Sequence, residues 1–415
     1  MLFISYIGNF VDFLQVVMKT IVGVFFGGRS VEHEISVISA LQAINAFDSD
    51  KYQVIPVYIS KQGKWFTGSE LLNIANYKDL KALENKVEEV YMKPIYGDNK
   101  LYRANLKSGL FSKKDPVITD LHIAFPVLHG SHGEDGMFQG VLETIGIPFV
   151  GCDTLSSANG MDKITMKMIL RESGIPVVDY IWFTDREWLS NREGVGKKIE
   201  DQLGYPVIVK PANLGSSVGI SKASDRKSLD SAIENAIRFS SRIIVEHMVQ
   251  DMKEINCSVL GDADHRDTSV CEEPIKQKDF LTYNEKYGSG AKSGMQASQK
   301  KIPAEIPPET SDKIQKLASE TFRVLACNGV SRIDFMIDKE NNDIFVNEIN
   351  TIPGSLSYYL WEETGISFKE LIDKLISLAL KRKRDTDRKT YSYDTNIFAL
   401  QGNLKGGIKN GGVKK

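Results

Sequence analysis

The stretch SRIDFMIDKENNDIFVNEIN, residues 331–350, sets a guanidinium, two carboxylates and an amide at alternating positions. Ile333, Phe335 and Ile337 alternate with Arg332, Asp334 and Met336, while Phe345 and Ile349 alternate with Glu348 and Asn350. This pattern reads as two β-strands about the polar turn KENND. Pairing symmetric about Asn341 places Asp334 opposite Glu348 and Arg332 opposite Asn350, with all four side chains on one face. Like charges directly opposed destabilise a sheet. At ~5 Å and an effective dielectric of ~20 the repulsion is about 3 kcal/mol. A divalent cation would relieve it, because two carboxylates and an amide oxygen are the hard donors that Mg²⁺ prefers, with phosphate oxygens completing the shell. A solvated face, or a register one residue away, would need no metal.

Four further clusters carry polar groups at the ends of apolar runs. GGRSVEHEIS (27–36) enters a helix with Ser30 as its expected N-cap and Glu32 and Glu34 in the first turn. Glu32 would also meet a substrate amine if a ligand binds at the carboxyl end of the first strand. VLHGSHGEDGMFQG (127–140) puts His129 at a strand end, among glycines that permit close backbone approach. KPANLGSSVGIS (210–221) supplies Lys210 and a small-residue loop that could fold over phosphates through its N–H groups, although it is neither a Walker loop nor GxGxxG. VEHMVQDMKEIN (245–256) holds Glu246 and Glu254 near the ends of consecutive strands, where they suit an amino group and ribose hydroxyls or plain solvent equally well.

The elements that must position these groups alternate through the first third of the chain. TIVGVFF, a helix from Val31, YQVIPVYIS, LHIAFPVL and a helix over 136–145 argue for a parallel α/β sheet. Residues 68–115 are polar and weakly periodic, and are expected to leave that sheet. A helix over 163–173, VVDYIWF, a charged helix and PVIVKP follow. RIIVEHM is expected to begin a more antiparallel region with EINCSVLG, a long loop to Lys301, a helix near 309–326 and the hairpin. ISFKELIDKLISLALKRK reads as an amphipathic closing helix. With 415 residues and a formal charge of −2, the chain can hold two or three domains. That charge gives no electrostatic argument for a nucleic-acid or membrane partner. Cys152, Cys257, Cys271 and Cys327 form no CxxC pair and read as structural thiols of a reducing compartment. Residues 1–17 read as a non-native or disordered extension ahead of Met18, too short for a membrane span. Beyond Arg384 a Gly- and Lys-rich tail is expected to be flexible.

The ordered set GGRSVEHEIS, LHGSHGEDG, MDK, VIVKPANLGSSVG, NEKY and SRIDFMIDKENNDIFVNEINTIPG resembles the D-alanine:D-alanine ligases of the ATP-grasp superfamily, from about Met18 to Lys383. The resemblance implies an α/β and α+β protein. An N-terminal parallel α/β (pre-ATP-grasp) domain over 18–150 would precede a two-part ATP-grasp domain. Its central subdomain would span 151–239, and its C-terminal subdomain 240–383 would carry a mobile loop at 276–301. It implies that ATP phosphorylates the carboxylate of one D-alanine and that the amine of a second attacks the acyl phosphate, for peptidoglycan synthesis. Lys163, Lys210 and Lys286 match the family's phosphate contacts, Glu246 its adenine region and Glu254 its ribose contact. Asp334, Glu348 and Asn350 match ligands of Mg²⁺ (or Mn²⁺), two ions in the family, and Arg332 the group that stabilises the acyl phosphate and the tetrahedral oxyanion. Glu32, Ser216 and Tyr287 match a hydrogen-bonded trio that closes the loop; His129 would meet the first carboxylate and Gly354 would donate an N–H to the second substrate. After NTIPG the family commonly shows a threonine-serine-histidine-serine pattern, whereas this chain has SLSYYLWEE, with Tyr359 in place of a serine at the second subsite. Tyr287 matches the dipeptide-forming members rather than those accepting D-lactate. D-serine or another amino acid remains an alternative acceptor, and a non-catalytic ATP or amino-acid sensor an alternative function. The family further implies a homodimer in the cytoplasm, without nucleic-acid or membrane partners.

Overall fold

The computed structural model describes residues 19–104, 116–275 and 300–393. The expected extension over 1–17, Lys286, Tyr287, most of the long loop and the far end of the tail lie outside the described residues.

Seven strands form the first sheet: β1 (Thr20–Gly27), β2 (Tyr52–Ile59), β3 (Trp65–Thr67), β4 (Glu88–Tyr91), β5 (Lys100–Arg103), β6 (Val117–Asp120) and β7 (Ile123–Val127). Their spatial order is β6-β5-β4-β3-β2-β1-β7. β1 is parallel to both β2 and β7, as the apolar runs imply, so the chain changes direction across the sheet beside β1. Crevices at such switch points open at the carboxyl ends of the strands. β1 and β7 deliver their following loops there. The segment 68–115 does not leave the sheet as expected: β4 and β5 extend it antiparallel beyond β3. These strands are four residues long and rich in charge, too short to show a period of two.

The second sheet comprises β8 (Tyr180–Thr184), β9 (Val207–Pro211), β10 (Ser221–Ala223) and β11 (Arg242–His247) in the order β10-β9-β11-β8. β11 was expected to open the antiparallel region that follows. It pairs instead with β8 and β9, so it completes this sheet. Its apolar residues Ile243 and Val245 share a core with Ile181, Val209 and Leu229, which is the packing that decides its partner. The third sheet comprises β12 (Met252–Gly261), β13 (Arg266–Pro274), β14 (Lys300–Lys301), β15 (Gly329–Asp338) and β16 (Ile344–Asn350). Its order is β14-β13-β12-β15-β16. The last two residues of the expected loop, Lys300 and Lys301, are thus strand.

Two packing features hold the units in register. The helix Pro308–Val324 and the helix Lys163–Glu172 bury Ile314, Phe322, Met166 and Leu170 against Ile333, Phe335 and Val346 of the third sheet. The closing helix Phe368–Asp387, which runs past the expected tail start at 384, buries Leu371, Leu375 and Ile376 in one core with Val24, Phe26 and Phe125 of the first sheet. Asp373 on that helix accepts hydrogen bonds from Lys51 (2.6 Å) and Tyr52 (2.8 Å), so the last helix ties the C-terminal part to the first domain. No described helix is long and apolar enough to cross a membrane.

Candidate active site

Across four adjacent strands of the third sheet, Glu348, Asp334, Asn256 and Glu272 are direct lateral neighbours, on β16, β15, β12 and β13. The hairpin register matches the symmetric pairing about Asn341: Asp334 faces Glu348 and Arg332 faces Asn350. A bulge interrupts it one step later, where Phe335 pairs with Val346 and Asn347 is the extra residue. The bulge moves the buried face of β16 from the expected Phe345 to Ile344 and Val346, then back to Ile349. Asn347 therefore points its amide oxygen at the Lys210 ammonium, 3.3 Å away.

The two opposed carboxylates are neutralised by the polypeptide itself. The Arg332 fork donates to both oxygens of Asp334, at 2.7 and 2.8 Å, and Asn350 Nδ2 donates to Asp334 Oδ2 at 3.1 Å. The Lys163 ammonium stands 3.5 Å from Glu348. Burial still lifts the Asp334 carboxyl to about 6 against the pull of Arg332. Among the described residues, no group of three His, Cys, Asp or Glu side chains is assembled as a metal site. The hairpin's donors are two carboxylates and one amide oxygen, an all-oxygen set that suits Mg²⁺ completed by phosphate and water.

Behind this row lies a buried cluster that the sequence reading left incomplete. Asp162 caps the helix Lys163–Glu172 by accepting from Thr165 N at 2.8 Å, which sets Lys163 and Lys167 one turn apart on the same face. Lys167 is fully buried and 3.2 Å from Glu246, whose other oxygen accepts from Lys210 at 2.6 Å. Burial opposes ionisation of Glu246, yet the two ammonium groups hold its carboxyl down at about 2. Lys163 also donates to the main-chain oxygen of Leu214, at 2.9 Å, beneath the small-residue loop. Lys163 and Lys210 thus bracket the space between the second and third sheets. Glu254, on β12 opposite Met336, lies half-buried on the same face as Asn256.

The first sheet contributes its strand-end loops. Glu32 is the N-cap residue of the helix His33–Ala46, in place of the expected Ser30, which accepts from Glu32 N at 3.0 Å and so braces the turn. Ser216, in the left-handed region with φ 54°, donates to Glu32 Oε1 and joins the small-residue loop to the first domain. Gly130, with φ +70°, is required here because a Cβ would fall 2.5 Å from Glu32 Oε2. Burial lowers the His129 imidazole to about 4, so the ring is neutral; Nε2 shares a 2.9 Å hydrogen bond with Ser39. Ser39 in turn accepts from Ser355 N at 3.0 Å, next to Gly354.

Glu134 was not singled out from the sequence, although GED within a glycine-rich turn was visible. It accepts from Gly130 N at 2.8 Å and from Ile352 N at 2.9 Å, linking the β7 loop to the segment after β16. Burial first, and then the nearby Glu32 charge, push its carboxyl up to about 8. A cavity of about 50 Å³ opens among Glu32, Glu134, Lys163, Ser216, Glu348 and Asn350. A larger cavity of about 200 Å³ lies beyond His129 against Trp65 and Phe138, and no carboxylate lines it. The smaller one gathers carboxylates of the first domain and of the hairpin, the Lys163 ammonium and the small-residue loop of the second sheet, and is the candidate reaction site. Tyr359 lies off this cavity, at the far end of the carboxylate row, where its hydroxyl donates to Glu272 at 3.0 Å.

The family profile described as "D-ala D-ala ligase N-terminus" matches residues 21–152, and "D-ala D-ala ligase C-terminus" matches residues 169–377. The chain is 43% identical over 380 residues to a D-alanine–D-alanine ligase of Thermosipho melanesiensis, covering 92% of this chain and 98% of that one. Among solved structures, the D-alanine–D-alanine ligase of Coxiella burnetii aligns with a TM-score of 0.75 at 30% identity, covering 89% of this chain and 96% of that chain. The VanG D-Ala:D-Ser ligase of Enterococcus faecalis aligns with a TM-score of 0.73 at 33% identity, covering 87% and 99%.

Proposed function

The chain belongs to the D-alanine–D-alanine ligase family, and on that premise we propose how its residues divide the work of joining two D-alanines. It is an ATP-dependent ligase that forms a peptide bond. In the first step a carboxylate oxygen of the donor D-alanine bonds to the γ-phosphorus of ATP, the β–γ bond breaks, and ADP leaves. In the second the acceptor's amine nitrogen bonds to the acyl carbon, the carbon–oxygen bond to phosphate breaks, and inorganic phosphate and a proton depart.

Phosphoryl transfer is mainly positioning and charge neutralisation. Lys163 and Lys210 meet the ATP phosphates, and Lys167, through Glu246, fixes where Lys210 points. Glu246 and Glu254 border the adenosine. Asp334, Glu348 and Asn350 hold Mg²⁺ or Mn²⁺, which supplies Lewis-acid neutralisation of the phosphates when bound. Arg332 stabilises the acyl phosphate and the oxyanion that follows. Glu32, kept in place by Ser216 and by the clearance at Gly130, takes the donor ammonium; His129, as a neutral ring, lies by the donor carboxylate, and Gly354 donates its N–H to the acceptor. Lys286 and Tyr287 complete the phosphate contacts and the Glu32–Ser216 trio. A homodimer in the cytoplasm completes the reading.

The observation that carries it is the meeting of Lys163 with Glu348 and of Lys210 with Asn347, which brings the phosphate-binding cations of a helix N-terminus and of the second sheet onto the last strand of the metal hairpin. Glu348 is about one-third exposed, so Glu348→Gln is expected to leave the unfolding midpoint unchanged. It should lower turnover at least ~100-fold by removing a metal charge. Turnover within twofold of the unsubstituted protein would overturn the metal assignment.

A further inference from the structure

All four cysteines of the chain are free thiols buried in the core under the third sheet, and they stand in two pairs. Cys257 on β12 faces Cys271 on β13 directly, within one sheet. Cys152 and Cys327 come instead from the two sides of a seam. Cys152 ends the segment leaving the first domain, one residue before Asp153 caps the helix Thr154–Met161, and Cys327 lies in the turn into β15. Gly329, with φ +82°, makes that seam tight, since a Cβ on it would fall 2.9 Å from Gly151 Cα. The two main chains touch there, and the Cys327 thiol donates to the Cys152 sulfur. Cys152 Sγ also lies 3.5 Å from the main-chain oxygen of Asn328 and 3.7 Å from Ser331 Oγ. The hydrogen bond from Cys327 outweighs burial and draws the Cys152 thiol below its ordinary value, while Cys327, as the donor, is pushed up. The closing helix sends Arg382 into the same seam, where it donates to the main-chain oxygens of Phe149, at 2.7 Å, and of Gly151. A guanidinium beside a cysteine favours the thiolate, the reactive form.

We propose that Cys152 and Cys327 are an oxidation site, where a hydroperoxide converts the pair to a disulfide that staples the end of the first domain to the turn entering β15. Both thiols are shielded, at 1% and 2% exposure, so the oxidant is a small neutral molecule such as hydrogen peroxide rather than a bulky disulfide. The Cys152 sulfur bonds to one peroxide oxygen, the O–O bond breaks, and the departing hydroxide takes the Cys152 proton as water, leaving a sulfenic acid. The Cys327 sulfur then bonds to the Cys152 sulfur, the S–O bond breaks, and the hydroxide leaves with the Cys327 proton as a second water. Two thiols lose two electrons and the peroxide gains them. Thiols already in hydrogen-bond contact have only a short approach left to a sulfur–sulfur bond of about 2.0 Å. Closing Cys152 to Cys327 also constrains a far longer stretch of unfolded chain than closing Cys257 to Cys271, and a longer loop brings the larger stabilisation. The helix Thr154–Met161, eight residues or about 12 Å long, separates Cys152 from the reaction cavity at its far end. The staple therefore strengthens the domain seam and leaves turnover unchanged.

The test treats the reduced full chain with hydrogen peroxide under native conditions, blocks the remaining thiols with N-ethylmaleimide, and maps the digest by mass spectrometry. A linked pair of peptides holding Cys152 and Cys327, lighter by two hydrogens, is the expected product. The urea midpoint should rise by at least ~0.5 M and return with dithiothreitol, while turnover with ATP and D-alanine stays within ~twofold. Cys327→Ser removes the resolving thiol, so its Cys152 should stop at the sulfenic acid, which dimedone traps, and its midpoint should not rise. Cys271→Ser should still form the Cys152–Cys327 link. Alkylation of both thiols after peroxide, or a link between Cys257 and Cys271 alone, overturns the site. A Cys152–Cys327 link that leaves the midpoint unchanged, or that abolishes turnover, overturns the staple.

Discussion

Replacing Glu246 by Gln removes the one negative charge between two buried ammonium groups. In the native arrangement Glu246 is 2% exposed, 2.6 Å from Lys210 and 3.2 Å from Lys167. A carboxyl held at about 2 rather than 4.5 corresponds to about 3 kcal/mol of differential stabilisation. Removing one partner of a buried ion network costs about 3–5 kcal/mol, which agrees. Glu246→Gln should therefore lose about 3 kcal/mol in urea unfolding at pH 7. The sign of the pH dependence follows from a folded value below the unfolded one. The stabilisation is fully present above about 4.5 and disappears as pH falls toward 2, so the gap between the two proteins should be constant above about pH 5 and narrow by about pH 3.5. Lys167→Met leaves Glu246 with Lys210 alone, and the double variant should be destabilised by less than the sum of the singles, with a coupling of about 1–3 kcal/mol. A loss below about 1 kcal/mol, additivity within ~0.5 kcal/mol, or a gap that does not change with acid would refute the network as the anchor of Lys210.

Two other perturbations probe the first domain's edge. Glu134 keeps its proton in the fold up to about 8, whereas an ordinary carboxyl loses it near 4.5, so its contribution to stability declines as pH rises through that window; Glu134→Gln should flatten the fall in urea midpoint between about pH 5.5 and 8, and parallel profiles would contradict this. Gly130→Ala places a methyl 2.5 Å from Glu32 Oε2 at a φ of +70°, which should raise the half-saturating donor concentration at least ~10-fold while costing about 1–2 kcal/mol of stability. Unchanged donor kinetics there would remove Glu32 from the donor site.

Much of the site was legible because period-two alternation and a polar turn determine a hairpin register, which is how Asp334 came to be matched with Glu348. The bulge at Asn347 was not, since the extra residue is visible only when Val346 and Ile349 are both seen to enter the core. The buried lysine at 167 follows one helical turn after Lys163, a spacing the sequence displays, but its burial depends on Glu246 in another sheet. The helix Thr154–Met161 was missed because TLSSANGM lacks an apolar stripe. Its Gly160 permits close approach instead, since a Cβ there would lie 2.9 Å from Thr351. Likewise Ser355, Leu356 and Ser357 are all left-handed, a turn that no residue type there announces, and it sets the helix carrying Tyr359 toward Glu272.

The most direct test of the central claim uses the full chain with ATP and Mg²⁺, scoring phosphate release and product mass with D-alanine alone and then with D-serine or D-lactate added. D-alanyl-D-alanine in step with phosphate is the predicted result. Phosphate release without a peptide product, or a mixed product with no D-alanyl-D-alanine, would contradict it.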